Sequence, residues 1–189
     1  MSVDASTAAA SRSFADEPLT AAAFAPFGDV IEAMGESFPI NGGLCDRFHD
    51  RARMEFTGDG RAGISVGLGR PYPLPLTFSL VERHPLGSQA FVPMQEDPFL
   101  VVVAPDAGGR PGMPRAFLTG PGQGVNYLRN VWHGVLTPLG RPGRFLIVDR
   151  IGSGNNLEEF TYDAPWTVTP PAWRRMIGSG PRTLRRMPM

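Results

Sequence analysis

The sequence predicts an all-β protein, a barrel or jelly roll with a few short helices, and three observations carry that prediction. The 23 glycines and 20 prolines among 189 residues leave little room for long helices, because proline lacks the helical N–H and glycine marks turns. Short apolar and β-branched runs recur at even spacing between those breakers, as in barrels and sandwiches. One run, Phe99 to Ala104, is continuously apolar and is expected to be buried on both faces.

Taken in order, residues 1–16 are rich in Ala and Ser without a clear period and read as a mobile leader. Thr20 is a candidate N-cap for a short helix over Ala21–Phe27, with Gly28 as its stop. Asp29 to Met34 reads as the first strand. Further strands are expected over Gly63 to Leu68, Leu74 to Glu82, Gln89 to Met94, Phe99 to Ala104, Arg115 to Leu118, Gly124 to Tyr127, Val131 to Leu136 and Arg144 to Asp149. One domain over residues 17–167 accommodates them. Residues 168–189 carry Arg174, Arg175, Arg182, Arg185 and Arg186 without an acidic residue, and form an Arg-rich extension. A solvated tail, a strap across a partner subunit and an anion contact are all open readings of it.

Composition narrows the chemistry. With 18 basic and 18 acidic residues the formal charge is zero, so no overall field draws the chain to nucleic acid or membrane, and a small-molecule partner is expected. Every basic residue is Arg and none is Lys, which excludes a lysine Schiff base on a carbonyl substrate. Arginine remains suited to holding carboxylates in a bidentate fork. Cys45 is the only cysteine, so there is neither an internal disulfide nor a thiolate-rich zinc site. No apolar run reaches the roughly 18 residues of a membrane span, and the Ala-rich start lacks the apolar stretch of a secretory signal; a cytoplasmic location is expected.

The chemistry-bearing residues lie in two segments. Glu82, His84 and Gln89 have the order E-x-H-x4-Q, and Trp132-His133 follows on a later β-like run. Residues two apart on a strand share a face, so Glu82 and His84 project together. Pro85-Leu86-Gly87 makes a tight turn that lets Gln89 reach the same cavity from the next strand. Metal-binding double-stranded β-barrels place ligands as H-x-H-x4-E plus a distant His, and this chain offers that spacing with Glu and Gln at two of the positions. The candidate ligands are therefore Glu82, His84, Gln89 and His133. Imidazole suits a transition metal, and two histidines with one carboxylate leave positions open for a substrate. An inward polar pocket that works by hydrogen bonding alone is the other reading. Arg47 and His49 alternate onto one face and would need an anionic counter-charge if buried, or sit in a surface loop with Arg51 and Arg53. Asn126 and Tyr127 are polar groups near the start of the His133 strand.

Seven segments together resemble a known family: Phe27-Gly28-Asp29-Val30-Ile31, Ile40-Asn41-Gly42-Gly43, Arg47-Phe48-His49-Asp50, Glu82 through Met94, Gly124-Val125-Asn126-Tyr127, Trp132-His133 and Asp149-Arg150. From about Leu19 to Trp166 the chain is similar to the ureidoglycolate lyase family, cupin-like enzymes of allantoin degradation. The resemblance implies a cupin-like double-stranded β-barrel, cleavage of ureidoglycolate to glyoxylate and urea, a homodimer, and a divalent metal with nickel as one candidate. It places His84 and His133 at the centre with Glu82 and Gln89 beside them, and Arg47, Asn41, Asn126 and Tyr127 around the substrate. A ureidoglycolate amidohydrolase releasing ammonia and carbon dioxide, and a non-catalytic barrel binding small carboxylates, stay open beside it. Asn130 stands where the family commonly has Gly, a replacement that left-handed backbone geometry tolerates, and Gly134 stands where a second His is often found.

Overall fold

The structure is a computed structural model, and it describes residues 12–170. In chain order the elements are β1 (Arg12–Ala15), β2 (Glu17–Pro18), α1 (Ala21–Phe24), β3 (Gly28–Ile31), β4 (Phe38–Ile40), a 3-10 turn (Asn41–Gly43), β5 (Cys45–Arg47), β6 (Arg61–Gly69), β7 (Leu76–Arg83) and β8 (Gln89–Pro93). They continue with β9 (Phe99–Ala104), β10 (Arg115–Leu118), β11 (Gly124–Tyr127), β12 (Trp132–His133), β13 (Thr137–Pro138), β14 (Gly143–Ile151) and β15 (Glu158–Thr169). The larger sheet runs β1-β15-β7-β12-β9-β10-β2, with β13 also on β9; the smaller runs β3-β11-β8-β14-β6. The hairpin β4-β5 pairs only with itself. The two sheets close into a nearly complete barrel of the cupin type, in agreement with the all-β expectation.

Strand β9 organises the core. All six of its residues are buried, as a continuous apolar run predicts. Phe99, Val101 and Val103 enter one cluster with Phe24, Phe117, Val125 and Phe145, while Leu100 and Val102 enter a second cluster with Leu76 and Val168. Period-two alternation therefore serves two apolar layers at once. Helix α1 is a single turn: the Thr20 hydroxyl accepts the Ala23 N–H at 3.2 Å as its cap. It ends before Pro26, shorter than the expected span. At Gly28 the backbone runs so close to β11 that a Cβ would collide with the Asn126 carbonyl.

The boundaries of the domain need correction. Arg12–Ala15, expected in the leader, form a parallel strand against Trp166–Thr169. Phe14 packs edge-on against Trp166 at 5.9 Å, and Arg12 lies over the same indole at 5.3 Å. Four residues are too few to show a period, and their partner lies at the far end of the chain. The expected 17–167 domain also stops short of Thr169, where β15 ends. Residues 1–11 of the expected leader and the arginines of the C-terminal extension lie outside the described residues. Val131 to Leu136, expected as one strand, is only β12, with β13 following at Thr137. Strand β15 itself escaped the sequence reading because Asp163 and Pro165 interrupt it, and its pairing with β7 shifts register between Thr161 and Trp166.

Candidate active site

The two sheets face each other across a small polar cluster. On the larger sheet, Glu82 of β7 lies directly opposite His133 of β12 in an antiparallel pair. His84 follows β7 by one residue. On the smaller sheet, Gln89 of β8 pairs with Tyr127 of β11. Cross-strand partners stand about 5 Å apart on the same face, so each pair delivers two side chains to one spot. The potential ligand atoms of Glu82, His84 and His133 all lie within 4.8 Å of one another. His84 Nε2 is 4.0 Å from Glu82 Oε1 and 3.1 Å from Gln89 Oε1. The imidazole centroids are 5.2 Å apart, and His133 stacks on Tyr127 at 4.2 Å with 2° between the planes.

Hydrogen bonds fix the tautomers of both rings. The Nδ1–H of His84 donates to the Asn156 carbonyl at 2.6 Å, and that of His133 donates to the Gly134 carbonyl at 3.1 Å. A carbonyl only accepts, so in the neutral rings both Nε2 atoms carry lone pairs. His133 Nε2 is buried and without a partner. His84 Nε2 faces the Gln89 oxygen, so two acceptors meet at 3.1 Å. A turned amide, a proton or a shared cation relieves that contact. Two inward lone pairs, a carboxylate and an amide oxygen are a donor set suited to a divalent transition metal.

Burial sets the charge states. Desolvation, reinforced by the charge of His84, lowers the His133 pKa to about 3, so this ring is neutral at physiological pH. Burial raises the Glu82 carboxyl above the usual range; His84 opposes that rise, and Glu159 on β15 adds to it. Desolvation and the Glu82 carboxylate hold the Tyr127 phenol above its ordinary value, so it stays protonated.

Other expected site residues lie elsewhere. Asn126 is on the opposite face of β11 from Tyr127, where its amide donates to Asp29 Oδ2 at 2.9 Å and to the Arg53 carbonyl at 3.1 Å. It braces the loop over β3, away from the histidines. Arg47 and Asn41 are exposed on the isolated β4-β5 hairpin. Arg47 lines an open cleft of about 510 Å³ with Glu32, Asp46, Phe48, Arg51 and Val92, and none of Glu82, His84 or His133 borders it. The hairpin joins neither large sheet, so strand alternation could not reveal which side of the barrel it covers. Asn130 has a φ of 66°, the left-handed geometry expected of it, and its N–H donates to the His84 carbonyl at 3.1 Å.

Sequence reasoning missed the groups behind the rings. Asn156 and Gly134 hold the imidazoles through backbone carbonyls, which every residue type possesses. Gly134 is also tightly packed, since a Cβ there would sit 3.1 Å from Val102 Cβ. On the outer side of the larger sheet Arg83 joins Glu158 at 2.6 Å and Asp106 at 3.0 Å, and lies over the Trp132 ring at 4.3 Å. That network ties together the strands carrying Glu82 and His133.

Fold and site thus define a cupin-type double-stranded barrel with a carboxylate–imidazole cluster between its sheets. The sequence pattern of the family described as ureidoglycolate lyase matches residues 11–169, and the chain belongs to that family. It is 64% identical over 154 residues to a ureidoglycolate lyase of a Chelativorans species, covering 80% of this chain and 93% of that protein. The ureidoglycolate lyase of Rhodobacter capsulatus is 60% identical over 153 residues, with coverages of 80% and 95%. Ureidoglycolate lyase 2 of Rhizobium meliloti is 59% identical over 153 residues, with coverages of 80% and 94%.

Proposed function

We infer that this chain is a lyase that cleaves ureidoglycolate to glyoxylate and urea. The substrate carries a carboxylate, a hydroxyl and a ureido nitrogen on one carbon. The hydroxyl O–H proton leaves, the C–O bond becomes the aldehyde C=O, the C–N bond breaks, and the urea nitrogen takes a proton. The net change moves one proton from oxygen to nitrogen and consumes no water. One group can therefore take the proton and return it, with no need for a covalent nucleophile. Glu82 is suited to this role, because burial raises its pKa and so makes its carboxylate a stronger base. His133, neutral and stacked on Tyr127, supplies a fixed lone pair, and the buried phenol offers a donor that does not ionise.

The observation that carries this reading is the convergence of Glu82, His84 and His133 with an unpartnered buried Nε2. Glu82, His84 and His133, with Gln89 beside them, would hold a divalent ion such as nickel. Such an ion would lower the pKa of a coordinated hydroxyl. Tyr127 and Gln89 border the substrate in this reading. Arg47 and Asn41, on the outer hairpin, would contact substrate only after that hairpin changes its position.

The reading includes a homodimer in the cytoplasm. The described residues contain no helix long and apolar enough to cross a membrane. The outer face of edge strand β6 exposes Ile64, Val66 and Leu68 at 73%, 60% and 74%, an apolar row suited to a second copy. The decisive experiment incubates purified protein with ureidoglycolate and quantifies products alongside metal analysis. Equimolar urea and glyoxylate support the lyase; ammonia and carbon dioxide mean the amidohydrolase, and no turnover with retained carboxylate binding means a sensor.

A further inference from the structure

We propose that Asn156 is a positioning residue that sets both the orientation and the proton-bearing nitrogen of His84. The inference rests on the reading of His84 as part of the active site. Asn156 grips the segment around His84 at two points. Its backbone carbonyl accepts the His84 Nδ1–H at 2.6 Å, and its side-chain Oδ1 accepts the Leu86 N–H at 2.8 Å. The side-chain bond fixes the amide orientation, since a backbone N–H can only donate. The same bond holds the loop against the turn after His84, which keeps the carbonyl aimed at the ring. Second partners of this kind fix the tautomer of histidines whose other nitrogen does the work.

The loop bearing Asn156 is itself anchored. The Arg150 guanidinium, whose side chain is 2% exposed, donates to the Ser153 carbonyl at 2.9 Å, the Thr57 carbonyl at 3.0 Å and Asp59 Oδ1 at 2.9 Å. Ser153 Oγ adds a bond to Asp59 Oδ2 at 2.8 Å. Gly60, Gly87 and Gly152 surround this arginine so closely that a Cβ on any of them would strike its side chain. A buried cation thus fixes the loop, the loop carries Asn156, and Asn156 holds His84. Without it the ring nitrogen would be free to exchange its proton between Nδ1 and Nε2, and the inward lone pair would be present only part of the time.

The test compares Asn156→Ala, Asn156→Gln and Asn156→Asp with the parent. Asp keeps an acceptor at the same distance, whereas Gln displaces it by one methylene. In metal-free protein, long-range proton–nitrogen NMR of the histidines should show a single Nδ1–H tautomer for His84 in the parent and in Asn156→Asp. Averaged ring nitrogens are expected in Asn156→Ala and Asn156→Gln. Nickel(II) affinity, measured by competition with a chelator, and kcat should each fall about 10- to 100-fold in the Ala and Gln variants, with KM within about twofold. An unchanged His84 tautomer in both of those variants, or equal losses in Asp and Ala, would overturn the proposal. Should Asn156→Ala not fold, Asn156→Gln gives the same reading. The NMR arm needs no substrate, so a parent that releases no urea would sink the lyase reading while leaving the role of Asn156 decided separately.

Discussion

His133 should make the folding stability of the metal-free protein depend on pH in a way that can be isolated. Unfolded, its imidazole has the ordinary pKa of about 6.5; folded, burial lowers it to about 3. Between those values the unfolded chain binds a proton that the native ring refuses. The stabilisation is therefore complete above pH 6.5 and is lost as pH falls toward 3, at about 1.4 kcal/mol per pH unit. From pH 7.5 to 4.5 the loss integrates to about 2.6 kcal/mol. Because pH 4.5 lies above the folded value, that figure is governed by the unfolded pKa. The comparison is with His133→Asn, which keeps an N–H for the Gly134 carbonyl and does not titrate. Urea unfolding of both proteins at both pH values gives a double difference in which the carboxylates common to the two proteins cancel. The parent should lose about 2–3 kcal/mol more than the variant. A double difference below about 1 kcal/mol would mean that the native ring titrates near its ordinary value and is not the dry lone pair on which the site depends.

Glu82→Gln should lower kcat by about 100-fold or more with a small effect on KM, and steady-state assays with ureidoglycolate check it. In the parent the ionised form is the base, so kcat/KM should fall as pH drops through a pKa above the ordinary glutamate value, and this acid limb should vanish in the variant. Arg83→Ala removes two ion pairs and the stacking on Trp132, and should cost about 1–2 kcal/mol in urea unfolding; no measurable loss would show the network to be dispensable. Val66→Glu puts a charge in the exposed apolar row. Sedimentation velocity should show a dimeric parent and a monomeric variant with unchanged circular dichroism, and a monomeric parent refutes the use of that face.

What could be read in advance follows from the range of each signal. The β9 run announces its burial by itself, and the two-residue period places Glu82 and His84 together with Gln89 one turn away. The same period also argues against placing both Asn126 and Tyr127 in one pocket, since adjacent residues on a strand face opposite ways; the structure sends Asn126 to Asp29 and Tyr127 to His133. Strand β1 is recognisable only through its pairing with the end of β15, a long-range event that local composition does not encode, and Asp163 and Pro165 mask β15 itself. Arg47 illustrates a further limit, because alternation orients a side chain relative to its own hairpin and not relative to the barrel.

The contact between Gly134 and Val102 links a position beside the site to one in the apolar interior. A side chain acquired at 134 needs its neighbour at 102 to yield by a few tenths of an ångström, so the two positions are expected to change in concert across evolution. Diversification next to the reacting centre is thereby gated by a residue that never meets the substrate. A paired swap, with a smaller residue at 102 introduced first, is the order in which directed evolution could widen this part of the barrel.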